Sequence, residues 1–362
     1  MDKKTLWWII GGLGGIILLI IILSLLSRLT TKTYNTYTEV EAKLVEAAKK
    51  YYATNPNYLP TEKNKTSEVT LSTLIEKEYI KPLNKYLRYG DSCDAKVVVT
   101  KVNASYDYLP YLNCGEKYTS IELYKKVLED NTIVTKGVGL YNIENEKIFR
   151  GEVKNNYVLL NKQNWRILRI DKNENLVLMS EFRTDTTEWD NRYNLETDSD
   201  DGINDYNVSR IKEYIEKKYY DGELLTDYEK SKVVFTNACL ATRSKTEMGS
   251  MNQVECSKLS DEELPIRLLT VGEYLISSID PNCKTTEDRG CTNYNYMHDL
   301  PQSFWTITKG QKNSAYVYNI NTSGVYETRA NNSKQLRYVV SLGKNTMYSS
   351  GSGLYDDPYI IK

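Results

Sequence analysis

Histidine is almost missing from this chain: one residue, His298, in 362. A His-x-x-x-His zinc helix is therefore impossible. A Ser-His-Asp triad would have to use His298, in a loop before Pro301, and no Gly-x-Ser-x-Gly elbow accompanies it. No phosphate-binding loop occurs, and Gly351-Ser352-Gly353 stands too near the end to open a dinucleotide-binding helix. No Cys-x-x-Cys pair is present, which argues against zinc ribbons and thioredoxin-like redox sites. Neither sign of charge dominates, with Lys+Arg at 47 and Asp+Glu at 48. A nucleic-acid partner is excluded by that balance, because phosphate neutralisation needs a basic excess. These shortages leave no constellation for an enzyme, and none is expected.

What the chain does have begins near its start. Leu6 to Leu26 is an apolar run without a charge, long enough at 1.5 Å per residue to cross a hydrocarbon layer of about 30 Å. Lys3 and Lys4 precede it and Arg28 and Lys32 follow, so flanking charge orients it only weakly. Ser24-Leu25-Leu26-Ser27-Arg28 holds no small-x-small cleavage site, and the apolar core exceeds that of a signal peptide. An uncleaved anchor is expected, with residues 1–5 as a cytoplasmic tail, 6–26 in the membrane and the bulk outside. No lipobox cysteine follows the run, and no second apolar span returns the chain. Gly11-x-x-x-Gly15 within the run is the spacing that lets two membrane helices approach closely. Self-association through Gly11 and Gly15 and glycine merely tolerated in lipid both remain open.

The six cysteines all follow the apolar run, at Cys93, Cys114, Cys239, Cys256, Cys283 and Cys291. An even number in close-spaced couples reads as local disulfides, Cys93–Cys114, Cys239–Cys256 and Cys283–Cys291, formed in an oxidising compartment. Six buried thiols are the other reading. Tyrosine is abundant, at 31 residues against 4 phenylalanines. Each tyrosine is an apolar plate with a polar tip. Either compositional bias or a sticky, carbohydrate- or protein-binding exterior accounts for it.

After the apolar run the chain reads as two parts: a helical stalk with a small domain (27–120), then, past a linker at 121–130, a larger domain (131–362). In the first, Tyr37, Val40, Leu44, Ala47 and Tyr51 fall on one helical stripe. Thr36-x-x-Glu39 is a capping box at its start, and Pro56 ends it. A shorter helix runs near Leu71 to Tyr79, before Pro82. Lys96–Val102 and Tyr106–Asn113 form a hairpin. With Asn103-Ala104 as a two-residue turn, opposed residues have numbers summing to 207, the sum that Cys93 and Cys114 also give. That couple then lies at a non-hydrogen-bonded site within disulfide reach, and Pro110 implies an edge strand. Tyr51-Tyr52, Leu59-Pro60, Leu74-Ile75-Glu76-Lys77-Glu78-Tyr79-Ile80-Lys81 and the Cys93-to-Cys114 stretch together resemble pilin-like and pseudopilin-like proteins of low-GC Gram-positive bacteria. The resemblance covers about a quarter of the chain. Lys4-Thr5-Leu6-Trp7-Trp8 departs from the prepilin processing motif, and no glutamate opens the helix as it does in pilins.

In the second part, Tyr157–Leu160, Trp165–Asp171 and Leu176–Glu181 read as strands, with a turn at Lys172-Asn173-Glu174. Ile211, Tyr214 and Ile215 mark an amphipathic helix capped by Asn207 or Ser209, and Thr226-x-x-Glu229 caps another. Phe304–Thr308, Tyr316–Ile320, Val325–Thr328 and Leu336–Leu342 are later strands, with Asn321-Thr322-Ser323-Gly324 as a hairpin loop. The expected class is α+β with a mostly antiparallel sheet. The ordered stretches Gly139-Leu140-Tyr141, Asn156-Tyr157-Val158, Trp165-Arg166-Ile167, Gly202-Ile203-Asn204-Asp205-Tyr206, Ser209-Arg210-Ile211, Ser303-Phe304-Trp305-Thr306, Gly351-Ser352-Gly353 and Pro358-Tyr359-Ile360-Ile361 resemble a recurrent surface-protein domain of Firmicutes and relatives. Over roughly 220 residues that resemblance implies a fold distantly C-type-lectin-like, shared with formylglycine-generating and adhesin modules. Leu336-Arg337-Tyr338-Val339 departs from that domain's usual Arg-Pro-Val. The copper-binding cysteine pair of formylglycine-generating enzymes needs free thiols, whereas these six look paired.

Two sites are expected. Asp198, Asp200, Asp201 and Asp205, around Gly202, approach a calcium loop but fall one residue short between their acids; a solvated acidic loop is the competing reading. Trp189, Tyr193, Tyr206, Tyr294, Tyr296 and Trp305 stand near loops and are expected to form a ligand face, since aromatics supply contact area at low entropic cost. No cofactor beyond calcium is expected. Together these features describe a non-catalytic, single-pass surface protein binding an extracellular protein or glycan. The alternative is a pilin-like subunit of a surface assembly or export machine.

Overall fold

Thr36 fixes the start of a helix, α1 (Tyr37–Thr54). Its hydroxyl accepts from Glu39 N (3.2 Å) and Glu39 reaches back to Thr36 N (2.8 Å), so two N–H groups left orphaned by the helix end are satisfied reciprocally. The computed structural model describes residues 34–63, 65–102, 105–181, 186–241, 256, 258–286, 288–298 and 303–362. The apolar run at Leu6–Leu26, with Gly11 and Gly15, lies outside them, and among the described residues no helix is long and apolar enough to cross a membrane. The chain divides between Ser120 and Ile121 into two compact units.

In the first unit, α1 buries Val40, Leu44, Ala47, Ala48 and Tyr52. The buried face is rotated slightly from the expected stripe: Tyr52 is enclosed while Tyr51 is half-buried. Glu41 is enclosed too, accepting hydrogen bonds from Tyr118 Oη (2.9 Å) and from Ser120 Oγ. The α1 core meets a short helix, α2 (Leu71–Glu76), and a three-stranded antiparallel sheet in the order β1 (Thr66–Thr70), β2 (Asp94–Val102), β3 (Ser105–Asn113). Asp94 faces Asn113 and Val102 faces Ser105, so the register sums to 207 throughout. One step beyond, Cys93 and Cys114 are bonded with Cα atoms 4.1 Å apart. Pro110 sits on β3, an edge.

The second unit begins with a helix. Residues 121–130, expected as a linker, contain α3 (Leu123–Asp130), whose Leu123, Tyr124 and Val127 join the larger core. Two hairpins follow: β4 (Gly139–Ile143) with β5 (Glu146–Arg150), and β6 (Tyr157–Leu160) with β7 (Gln163–Ile170). Their two-residue turns, Glu144-Asn145 and Asn161-Lys162, hold all four residues at positive φ, as primed hairpin turns require. Then come β8 (Leu176–Ser180), β9 (Thr186–Glu188), α4 (Arg210–Tyr220, capped by Ser209), α5 (Asp227–Lys230, with a Thr226/Glu229 box), β10 (Arg267–Leu268) and α6 (Val271–Ser277). Seven strands close the chain: β11 (Phe304–Lys309), β12 (Tyr316–Asn321), β13 (Gly324–Arg329), β14 (Ser333–Gln335), β15 (Tyr338–Leu342), β16 (Tyr348–Ser350) and β17 (Tyr359–Ile361).

These strands make two sheets. One runs β10-β15-β8-β7-β6-β17-β16, with β5 also pairing β7 and β4 pairing β5; the other runs β13-β12-β11-β14-β9. All pairings are antiparallel except β17 with β6 and β11 with β14. The protein is thus α+β, with mostly antiparallel sheets and few helices.

Candidate functional site

A period of two decides which strand residues share a face, and in the first of these sheets it places charge on one face. Arg169 lies opposite Val177, and Val177 opposite Ser341. Arg267 lies opposite Val339, two residues from Ser341. Glu146, at the start of β5, adjoins the same row through the Lys147–Ile170 pairing. Beside this face, along β15, the chain lays a strap. Val234 N donates to Ser341 O (2.8 Å), Thr236 and Leu264 exchange backbone hydrogen bonds, and Leu240 N donates to Lys258 O (2.7 Å). The Cys239–Cys256 disulfide ties the strap to itself, Cα to Cα 5.5 Å. Between strap and sheet lies a cleft of about 390 Å³, lined among others by Glu146, Arg169, Asp171, Lys172, Phe235, Asn237, Leu259, Glu263 and Arg267.

The floor of the cleft is a ladder of buried charges. Glu273, at the N3 position of α6, accepts from Thr270 N (2.9 Å), from Arg267 Nη1 (2.8 Å) and Nη2, and from Arg169 Nη1 (2.6 Å). Burial alone would push its carboxyl upward. The charges and hydrogen bonds of Arg267 and Arg169 more than reverse that and hold it well below the ordinary carboxylate range. Glu146 stands on the other side of Arg169, its Oε2 3.1 Å from Nε. Glu146 is only 6 % exposed, and that pair is too poorly aligned for a hydrogen bond, since Nε has no hydrogen-bond partner. Burial therefore wins over Arg169, and the Glu146 carboxyl is raised. Two buried carboxylates flanking one guanidinium thus have opposite electrostatic characters. A perturbed group in a cleft marks a functional-site candidate.

The expected aromatic face does not form. Trp189 and Trp305 are fully buried, and each indole N–H is satisfied by a backbone carbonyl: Trp189 by Thr306 O (3.0 Å), Trp305 by Thr187 O (2.9 Å). Tyr206 packs beside Trp189, and Tyr296 lies buried over the guanidinium of Arg166. Only Tyr193 and Tyr294 reach solvent, at 50 % and 56 % exposure. Aromatic side chains near loops serve here as core, because burying so large an apolar plate outweighs leaving it wet.

The acidic run folds as a loop tied to the β12–β13 hairpin region through Asn204, Asp200 and Asp201. Asp198 accepts from Tyr193 Oη, Asp205 from Asn207 N (3.1 Å), and Asp201 lies 3.6 Å from Arg329 Nε. Asp190, not among the expected residues, organises this loop. It is fully buried and takes the Arg192 fork (Nη2 at 2.6 Å) together with the backbone N–H groups of Arg192, Ile203 and Arg210. Among the described residues no three His, Cys, Asp or Glu side chains come together as a metal site.

All six cysteines are paired, the third couple being Cys283–Cys291 at a Cα distance of 4.5 Å. Three disulfides fit folding in an oxidising, extracellular setting. They also leave no free thiol pair for copper. His298 is bonded through Nδ1 to Tyr274 Oη at 2.7 Å.

No signal used on the sequence pointed to the cleft. Two were present: Arg166 and Arg169 interrupt the apolar stretch Trp165–Ile170 of β7, and Thr270-x-x-Glu273 is a capping box. Neither says that positions 146, 169, 267 and 273 meet. Comparison of the chain with family models, with curated proteins and with solved structures finds no match.

Proposed function

We propose that this chain is a non-catalytic cell-surface protein, held by the Leu6–Leu26 run, whose second unit binds an extracellular ligand in the cleft over Glu146. The observation that supports this reading most is the carboxylate of Glu146, enclosed at the cleft and held there only loosely by its poorly aligned pair with Arg169. The disulfides agree with an exported domain, and the motif resemblances to surface proteins point the same way. Among the described residues lining the cleft there is no histidine and no free thiol beside Glu146, and the reading is of binding rather than turnover. Gly11 and Gly15 would add self-association of the anchor.

The test is a fragment starting at Ile121, because α3 belongs to the second unit, applied to glycan arrays, purified cell wall and matrix proteins. Saturable binding by the fragment supports recognition. Labelling of intact cells with a membrane-impermeant lysine reagent checks the orientation, and labelling only after lysis would reject it. A pilin-like assembly role is the second reading, favoured by one observation: α1 packed on a small antiparallel sheet whose hairpin is stapled by Cys93–Cys114. Recovery of the full-length protein in sheared filaments, with no ligand bound by the fragment, would decide for assembly.

A further inference from the structure

Resting on the cleft-binding reading, we infer that the ligand is a neutral saccharide, with Glu146 accepting hydrogen bonds from its hydroxyls and Phe235 packing on its ring. Three features carry this. The first is charge. The lining holds three acids (Glu146, Asp171, Glu263) and three bases (Arg169, Lys172, Arg267), so an ionic ligand meets no net attraction. A polyhydroxylated ligand, whose every hydroxyl both donates and accepts, can use both kinds of group.

The second is unspent hydrogen-bonding capacity. Arg169 donates from Nη1 to Glu273, while its Nε faces Glu146 at 3.1 Å without a hydrogen bond. Asp171 is spent on its own turn, accepting from Asn173 N (2.8 Å) and Asn175 N (2.9 Å). Glu146 lines the cleft and is held by a poorly aligned pair with Arg169, whose Nε makes no hydrogen bond. A hydroxyl entering the cleft can donate to that carboxylate.

The third is an apolar rim that is fixed before any ligand arrives. Phe235 is 45 % exposed and Leu259 52 %. The residues on either side of Phe235 are pinned, Val234 N to Ser341 O and Thr236 N to Leu264 O (3.1 Å), so seating a sugar's C–H face on the ring costs little ordering entropy. A cleft of about 390 Å³ is small-molecule size and too small to seat a folded partner.

The experiment titrates full-length protein in detergent with neutral hexose and N-acetylhexosamine oligosaccharides of two to four residues. Glu146→Gln, Phe235→Ala and, as a control on the acidic loop, Tyr193→Ala are measured alongside. Saturable binding of one oligosaccharide is expected. Glu146→Gln should weaken it about tenfold, since a charge-assisted bond becomes a neutral one, and Phe235→Ala by roughly fivefold or more; Tyr193→Ala should leave it unchanged. Thermal melting of each variant confirms that it folds. Equal binding by all variants would place the sugar elsewhere and overturn the assignment. Failure of every oligosaccharide, with cell-wall or matrix protein still captured by the wild type and lost in Glu146→Gln, would overturn the saccharide while sparing the cleft. Capture of nothing at all would overturn both.

Discussion

In the first unit a covalent staple and neutral contacts close the fold; in the second, buried charges join elements distant in sequence. The described ion pairs of the first unit are exposed, as in Lys96–Glu68, and pairs of that kind contribute little. Its enclosed carboxylate, Glu41, is satisfied by hydroxyls. The second unit instead routes β5, β7, β10 and α6 through Glu146, Arg169, Arg267 and Glu273. Such a ladder need not stabilise more than an apolar core would, yet removing one member strands its partners. A staple restricts the unfolded chain, and the second unit has two of its own; the ladder adds a native-state coupling of four elements that the first unit has no counterpart for among the described residues. The two units should therefore fail differently.

The sharpest separation comes from Glu273→Gln. It leaves Arg169 and Arg267 buried without their shared counter-charge, a loss of about 3–5 kcal/mol. In calorimetry the transition of the second unit should move down strongly while that of the first stays. Because the folded carboxyl is depressed, its contribution is complete above the ordinary carboxylate range and drains away as pH falls below it. Acid should thus weaken the second unit in the wild type and barely alter the variant. A variant melting like the wild type at pH 7 would remove the ladder from the account.

Next in size is the staple. Replacing Cys93 and Cys114 by serine opens a loop of sequence separation 21, worth about 3 kcal/mol by restriction of the unfolded chain. The couple lies one step beyond the last β2–β3 pair, Asp94–Asn113, inside the first unit, so only the first transition should fall. If the second moved as well, the units would not be separable in the way their contacts suggest.

A smaller effect is expected at Asp190. Asp190→Asn removes the Arg192 fork and weakens the acceptor for three backbone N–H groups; about 2 kcal/mol is a reasonable scale for hydrogen bonds to a charged group. Limited proteolysis should then cut within 190–205 first. Unchanged cleavage would mean that the loop is held by its neighbours instead.

The same contrast of sequence distance explains what the chain reveals about itself. Capping boxes at Thr36 and Thr226, the strand Tyr157–Leu160 and the hairpin register summing to 207 all rest on residues close in sequence, and each is present. Helix α6 left no periodic signal because every one of its residues is buried, Glu273 and Ser277 included, and an element enclosed all round has no solvent face to alternate with. Helix α3 is only eight residues long, short enough to pass for a connection. The hairpin turns at 144–145 and 161–162 lack glycine, so their positive φ values were invisible. Trp189 and Trp305 misled because a loop position does not reveal whether an indole finds a buried carbonyl. The cleft was least legible of all, since Arg169 and Glu273 are 104 residues apart and nothing local selects the pairing.

The smallest expected effect is at Glu146, and it separates a binding role from a structural one. Its folded carboxyl is raised by burial against the opposing pull of Arg169. A raised carboxylate binds its proton more tightly in the folded than in the unfolded state, so ionisation lowers stability as pH climbs through that interval, and the loss is complete above the folded value. Glutamine does not ionise, and Arg169 keeps Glu273. Glu146→Gln should therefore melt at or slightly above the wild type at pH 7, by no more than about 1 kcal/mol. That margin should narrow as pH falls toward the ordinary carboxylate range. Paired melts at pH 7 and pH 4.5 measure it. Should Glu146→Gln destabilise the second unit as strongly as Glu273→Gln, Glu146 would be one more rung of the ladder. A variant that is equally stable yet poorer in ligand binding marks a carboxylate held in place for something outside the protein.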